Sequence, residues 1–507
     1  MNENMNEKFE KLQPYLDRSV ALGCALTLFN WDGETLAPRG AFEKTSKLIG
    51  ALSAEYYRAV INDEVRSLLG ELSAPKEQEK LTALQRAIVK KLLRQYEELE
   101  KIPPEEYQAY QELLSLSGQI WAEAKENNDF AAFAPTLKKI VSWQKRFAEY
   151  TKKPGMSLYD VMLDQHEEGI LTAQLDEFFG KLRSAVVPLL KKVTAQNSRI
   201  DKSYNSRSYP VEKQREFCRF LAEYIGFDFE RGIVAESAHP FTTNLHNADV
   251  RITNHFYENN LESAIFSVIH EGGHALYEFG VDDELTLTPV GGGTSMGVHE
   301  SQSRFYENVL GRSEAFWKPL FAKLKETWPD QLADIELSDF ILGINKAEPG
   351  PIRTEADELT YPLHIMIRYE IEKQLISGEI EVDDLPEIWN EKYREYLGIT
   401  PENDKEGVLQ DVHWSTGSFG YFPSYAIGNA VAAQIYAFMH REIPVAECLE
   451  KSDLAPIREY LRKHIHRHGC TKNMNELLTE MTGEQLNADY YIDYLTQKYT
   501  GLYLSRQ

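Results

Sequence analysis

Apolar residues return every three or four positions through most of this chain, the spacing that lines one face of an α-helix. The stretch "EKLTALQRAIVKKLLRQYEELEKI" (79–102) carries that rhythm, and "IPPEEY" restarts a helix with prolines in its first turn. The same spacing runs through "YQAYQELLSLSGQIWAEAKENN" and "FAPTLKKIVSWQKRFAEYTKK". It continues from 173 to 226, broken by the polar loop "AQNSRIDKSYNSRSYP". Period-two alternation is rare. "NADVRITNHF" (247–256) alternates Val250 and Ile252 with polar residues, and "ELTLTPVGGGTSMG" (284–297) is β-leaning and glycine-rich. The pattern predicts a mostly α fold with a small antiparallel sheet.

Those two segments flank "SVIHEGGHALYEFG" (267–280), where the helical pattern contains adjacent glycines. Each glycine costs about 1 kcal/mol relative to alanine inside a helix, so packing alone does not select them. They remove bulk where a substrate or a neighbouring segment must come close. His270 and His274, four residues apart, project from one helix face and can meet one metal ion, with Glu271 beside it to move a proton. The apolar run Ile265, Phe266, Val268 and Ile269 predicts a buried helix that holds the ligand rotamers still.

A third ligand separates a site from a chance pentad. Position 280 is glycine, so no histidine follows six residues after His274. Downstream, "GVHESQSRFYENVL" opens a second amphipathic helix and places Glu300 26 positions beyond His274. Two imidazoles and one carboxylate leave a fourth position open for water. The competing reading of Glu300 is a solvated acid at a helix start; His299 reads as a structural neighbour rather than a ligand.

Length and composition narrow the setting. The 507 residues, 42% hydrophobic and 26% charged, can bury a large core. No Pro/Gly/Ser linker or repeat divides them, so residues 1–507 read as one helical unit that could form two lobes around a groove. A net charge of −24 argues against nucleic acid and anionic membranes as partners. No 18-residue apolar run and no signal-like N-terminus are visible. The four scattered cysteines suggest reduced thiols, hence a cytoplasmic location.

With those residues in hand, the chain resembles the carboxypeptidase Taq family of metallocarboxypeptidases, which carry H-E-x-x-H plus a distal glutamate. "HEGGH" and "HESQSR" are joined in order by "HPF" (239–241), "DVRIT" (249–253), "IRTEAD" (352–357) and "GVLQDVHW" (407–414). An early "WDGETLAP" (31–38) is similar too, with Ala37 where methionine is expected. The resemblance implies a helical fold with a deep central groove and release of single residues from peptide C-termini, with broad side-chain tolerance and poor action before proline. It implies Zn²⁺, with Co²⁺ able to substitute, peptide substrates and a homodimer.

Within that reading, His270, His274 and Glu300 hold the metal and Glu271 serves as base and then acid. His413 and Tyr421, in "QDVHWSTGSFGYFPSY", are candidates to donate hydrogen bonds to the oxyanion; aromatic core packing is the alternative for both. Arg353 is the first candidate for the substrate's terminal carboxylate. Its alternative is a salt bridge to Glu355, Asp357 or Glu358. Arg251 is the second candidate, closing the groove's end, with Asp249 and His239 fixing loops. His464, His466, His468 and Cys470 alternate beyond a helix, where they would splay apart, and read as a basic helix end stopping at Gly469. An endo-acting oligopeptidase of the same groove type, or a non-catalytic peptide-binding protein, are the competing functions.

Overall fold

In the computed structural model, which describes residues 6–504, helices follow one another along nearly the whole chain. Local chemistry sets their ends. Asp129 accepts from the Ala132 N–H at 3.1 Å to start the helix Phe130–Thr151. Ser157 and Asp160 cap each other's backbone at the head of Leu158–His166. Gly226, at φ 107°, ends Val211–Ile225 where a side chain would be strained.

The small sheet is present beside the predicted metal helix, but it is mixed. Strands β1 (Gly232–Glu236), β2 (Thr242–His246) and β3 (Asp249–Asn254) lie in the order β1-β3-β2. β2 pairs antiparallel with β3, as expected, whereas β1 runs parallel to it. The segment 284–297 does not join the sheet. It turns back on itself, so that a Cβ on Gly291 would lie 2.4 Å from the Leu285 carbonyl, and Met296 begins the next helix. Its glycines serve close packing rather than extension.

Val250 and Ile252 of β3 are fully buried, as their alternation predicts. Thr242 of β2 sits opposite Ile252, and Thr243 opposite Arg251. Thr242 and Asn244 therefore share the face turned to the helix Leu261–Phe279, while Arg251 lies on the other face.

A large core binds the helices from Tyr110 to Tyr503. A smaller one gathers Leu12, Leu69, Val89 and neighbours of the N-terminal helices around Val281, Leu285 and Val290, just after the helix Leu261–Phe279. That helix is buried almost all round. Its partly exposed positions are Ser263, Ser267, His270 and His274, a single stripe at helical spacing.

Candidate active site

Of the two glycines in "HEGGH", Gly273 answers to neighbouring backbone. A Cβ on Gly273 would stand 2.7 Å from the Gln302 carbonyl oxygen and from Ser303 Cα, in the helix Met296–Arg304. On the far side of that second helix, a Cβ on Gly428, in Pro423–Glu442, would meet Glu300 Cβ at 2.7 Å. Three helices thus approach at contact distance, and the middle one carries Glu300.

The consequence is convergence. Ligand atoms of His270, His274 and Glu300 all lie within 4.8 Å of one another. Glu300 Oε2 is 3.8 Å from His270 Nε2 and 3.7 Å from His274 Nε2. Those separations are too long for hydrogen bonds and suit three donors around one ion.

Each imidazole is oriented through its other nitrogen. His270 Nδ1 donates to Glu307 Oε2 at 2.8 Å. His274 Nδ1 pairs with His299 Nδ1 at 2.7 Å, and His299 Nε2 pairs with Glu278 Oε1 at 2.7 Å. The proton order that satisfies this chain puts hydrogens on His274 Nδ1 and His299 Nε2, leaving His274 Nε2 with its lone pair. Glu278 is held by Asn244 Nδ2 at 2.7 Å and the Gly293 N–H at 3.0 Å.

The electrostatics of the two histidines differ. Burial opposes charge on His270, yet the Glu307 hydrogen bond and Glu300 outweigh it and raise its pKa. Burial, with His299 and His270 close by, holds His274 well below the usual histidine range. Arg304 donates to both Glu300 Oε1 (2.6 Å) and Glu307 Oε2 (3.0 Å), and Arg312 to Glu307 Oε1 (3.0 Å). Although burial penalises its charge, Glu307 is held far below the carboxylate range by Arg304, His270 and Arg312. Two imidazoles and one carboxylate at these separations fit a divalent metal.

Glu271 is buried beside the triad, and burial pushes its pKa up. Thr242 Oγ1 donates to its Oε2 at 2.5 Å, tying it to β2.

His413 and Tyr421 lie together, with ring centroids 5.5 Å apart. His413 Nε2 meets the Tyr425 hydroxyl at 3.2 Å, while its Nδ1 is buried without a partner. Burial and Arg353 push its pKa down to about 4; burial and Glu300 push Tyr421 up to about 12. Both are neutral donors near pH 7. Arg353 joins this group, its guanidinium 4.9 Å from the Tyr425 ring centre. Its carboxylate partner is Asp411, with Nε at 3.0 Å and Nη2 at 2.8 Å. Two of the nearby acids in sequence go elsewhere, Asp357 accepting from Thr360 and Glu358 from Lys498, while Glu355 is exposed. Asp411 is shared with the fully buried Arg368. Arg251 is gripped by Asp249 at 2.8 Å and stands over the Trp31 ring, on the sheet face away from the histidine helix. His239 is exposed.

His464 and its neighbours do not converge. The helix ends at His464, a short 3₁₀ turn holds His466–His468, and Gly469 follows at φ 48°. His466 is buried, with Nε2 2.8 Å from Gln302 Oε1. The sequence reading missed Glu307, Glu278, Thr242 and Asp411. Two carried local signals: Glu278 lies four residues beyond His274 on the same helix, and Glu307 seven residues beyond Glu300 in the same helical run.

The comparisons agree along the whole chain. Carboxypeptidase 1 of Bacillus subtilis (strain 168) is 43% identical over 481 residues, 95% of each protein. Thermostable carboxypeptidase 1 of Pyrococcus furiosus is 37% identical over 506 residues, 97% of this chain and 99% of the relative. The crystal structure of an M32 carboxypeptidase from Deinococcus radiodurans R1 superposes with a TM-score of 0.94 at 34% identity, covering 98% of this chain and 100% of that one. Together with a family match that runs from residue 11 to residue 499, this likeness of sequence and fold means that the chain belongs to the carboxypeptidase Taq (M32) family of metallopeptidases.

Proposed function

We propose that this metallopeptidase is a zinc carboxypeptidase that removes single residues from peptide C-termini with broad side-chain tolerance, cobalt being able to replace zinc. The observation that carries the reading is the convergence of the His270, His274 and Glu300 donors within 4.8 Å, with Glu271 alongside. Two imidazoles and one carboxylate are a donor set that zinc favours in catalytic sites. When bound, such a metal polarises the scissile carbonyl and makes a water more acidic.

The chain's own residues do the rest. Glu271 takes the proton of the attacking water and delivers it to the leaving nitrogen. Thr242 keeps its carboxylate aimed. His413 and Tyr421 donate to the carbonyl oxygen as negative charge develops there. Arg353 receives the substrate's terminal carboxylate. Arg353 and Arg368 share the single carboxylate of Asp411, so this trio keeps one positive charge for an incoming anion.

The same reading takes the chain as one catalytic unit, with the Ser263–Ser267–His270–His274 stripe on the floor of a groove; Arg251, on the sheet face away from that stripe, has no part in it. Free cysteines at 24, 218, 448 and 470 suit a cytoplasmic location. Among the described residues no helix is long and apolar enough to cross a membrane. The family resemblance supports a homodimer.

The test uses one peptide in two forms, with a free C-terminus and with an amidated one, each incubated with metal-loaded protein and followed by mass. A ladder shortening from the carboxyl end of the free acid, with the amide untouched, supports the proposal. Internal cuts in both forms would replace it with an oligopeptidase.

A further inference from the structure

Glu372 is a buried acid that the peptidase mechanism does not use. It lies on the helix Tyr361–Ser377 and is fully buried. Its carboxylate accepts three hydrogen bonds. Trp414 Nε1 donates to Oε1 at 2.7 Å, while the Gly420 N–H (2.9 Å) and the Tyr159 hydroxyl (2.7 Å) donate to Oε2.

Two of those donors belong to the loop 411–421, and their positions are informative. Trp414 directly follows His413, and Gly420 directly precedes Tyr421. One carboxylate therefore ties the loop at both ends to one helix, next to each proposed oxyanion donor. Tyr159 braces the same carboxylate from the helix Leu158–His166. Gly420, at φ 77°, lies so close to that helix that a Cβ would stand 2.7 Å from the Met162 carbonyl carbon. Trp414 is buried and lies nearly parallel to Phe419, at 5° between the rings.

A buried carboxylate is costly unless its hydrogen bonds compensate, and an apolar side chain of similar size would pack as well. The cost is visible here: burial pushes the Glu372 pKa up to about 7. Its three donors are neutral, and Arg368, one turn earlier on the same helix, is committed to Asp411. What this carboxyl does that an apolar side chain could not is hold those three donors in place.

We propose that Glu372 is a positioning residue for catalysis, setting the separation and orientation of His413 and Tyr421 through Trp414 and the Gly420 backbone. This rests on the oxyanion roles assigned above to those two side chains.

The test compares Glu372→Gln, Tyr421→Phe and the double variant, metal-loaded, on one free-acid peptide. Glutamine keeps the volume but turns an amide N–H₂ towards groups that are themselves donors. Glu372→Gln is expected to retain its metal and helical content. Its kcat should fall about tenfold or more with KM changed less than about threefold, because a group misplaced by ~1 Å can cost up to ~10²-fold. In the Tyr421→Phe background the same substitution should cost several-fold less, since one of the donors it positions is already gone. A folded Glu372→Gln variant with kcat within about twofold of wild type, or a double variant whose loss equals the product of the single losses, overturns the proposal. If Glu372→Gln does not fold, Trp414→Phe decides. It removes one donor at small cost in volume, and its loss of kcat must shrink in a His413→Ala background or the proposal falls. Unchanged kcat in both Tyr421→Phe and His413→Ala would instead overturn the oxyanion assignment, and the positioning role with it. Losses there with none at Glu372 would overturn the positioning role alone.

Discussion

His270 Nδ1 and Glu307 Oε2 are joined by a 2.8 Å hydrogen bond that links the histidine helix to the π-helical turn Phe305–Leu310, which directly follows the helix bearing Glu300. Glu307 thus aims a proposed ligand from the same run of chain that delivers another, and wide helical turns of this kind recur at functional sites. Glu307→Gln keeps a hydrogen-bond acceptor but removes the charge. Metal affinity should fall about 10- to 100-fold, read as metal retained against a graded chelator series with the fold intact. Retention equal to wild type would show that His270 needs no charged partner.

In the proposed mechanism Glu271 moves the proton without holding the metal. Glu271→Gln should hold metal as wild type does while kcat drops by about 10²-fold or more, the scale of a lost general base. Metal content and steady-state kinetics on the same preparation decide it, and full turnover would remove Glu271 from the mechanism.

The two glycines should not be equivalent. An alanine at 273 meets the Gln302 and Ser303 backbone at 2.7 Å, whereas one at 272 meets the tip of the Ile225 side chain, Cδ1, at 2.4 Å. A flexible tip can move and a helix backbone cannot without shifting Glu300. Gly273→Ala should therefore cost about 1–3 kcal/mol of stability and weaken metal retention. Gly272→Ala should cost less and leave the metal in place. Denaturant unfolding with metal titration checks the order, and equal effects would contradict it.

His466 makes stability sensitive to acid. Burial, with His299 and Arg462 near, pushes its pKa down to about 3, below the ordinary 6.5. A depressed folded value means that its contribution is complete above 6.5 and is lost as pH falls towards 3. Between pH 7 and pH 5 one such group costs about 2 kcal/mol. The stability gap between those pH values should be smaller by about that amount in His466→Gln, measured by urea unfolding. An unchanged gap would mean that His466 does not titrate in this way.

Much of the site was legible in one dimension because helical geometry is local. Four residues of spacing put His270 and His274 on one face whatever surrounds them, and the apolar run before them could only belong to a buried helix. Glu271 follows from adjacency, and the mostly α fold from periodicity. Partners brought together by folding left no such trace. Arg353 has acids two, four and five residues away, yet it pairs with Asp411, 58 positions on, because that distant segment folds back against the short 3₁₀ turn that carries Arg353. β1 pairs in parallel with β3 since its neighbours in the sheet are set by chain path rather than by alternation.

By itself, then, the sequence determined the helices, the histidine pair with its glutamate, and the family. Tertiary structure alone decided that Glu300 reaches them, that Glu307, His299 and Glu278 hydrogen-bond around the imidazoles, and that Glu372 ties the loop 411–421 to its helix. The division has one physical cause. Side-chain direction along a helix is fixed by backbone geometry within a turn, whereas the approach of distant segments is fixed by close packing, here at Gly273 and Gly428, where the absence of a single carbon lets the backbones meet.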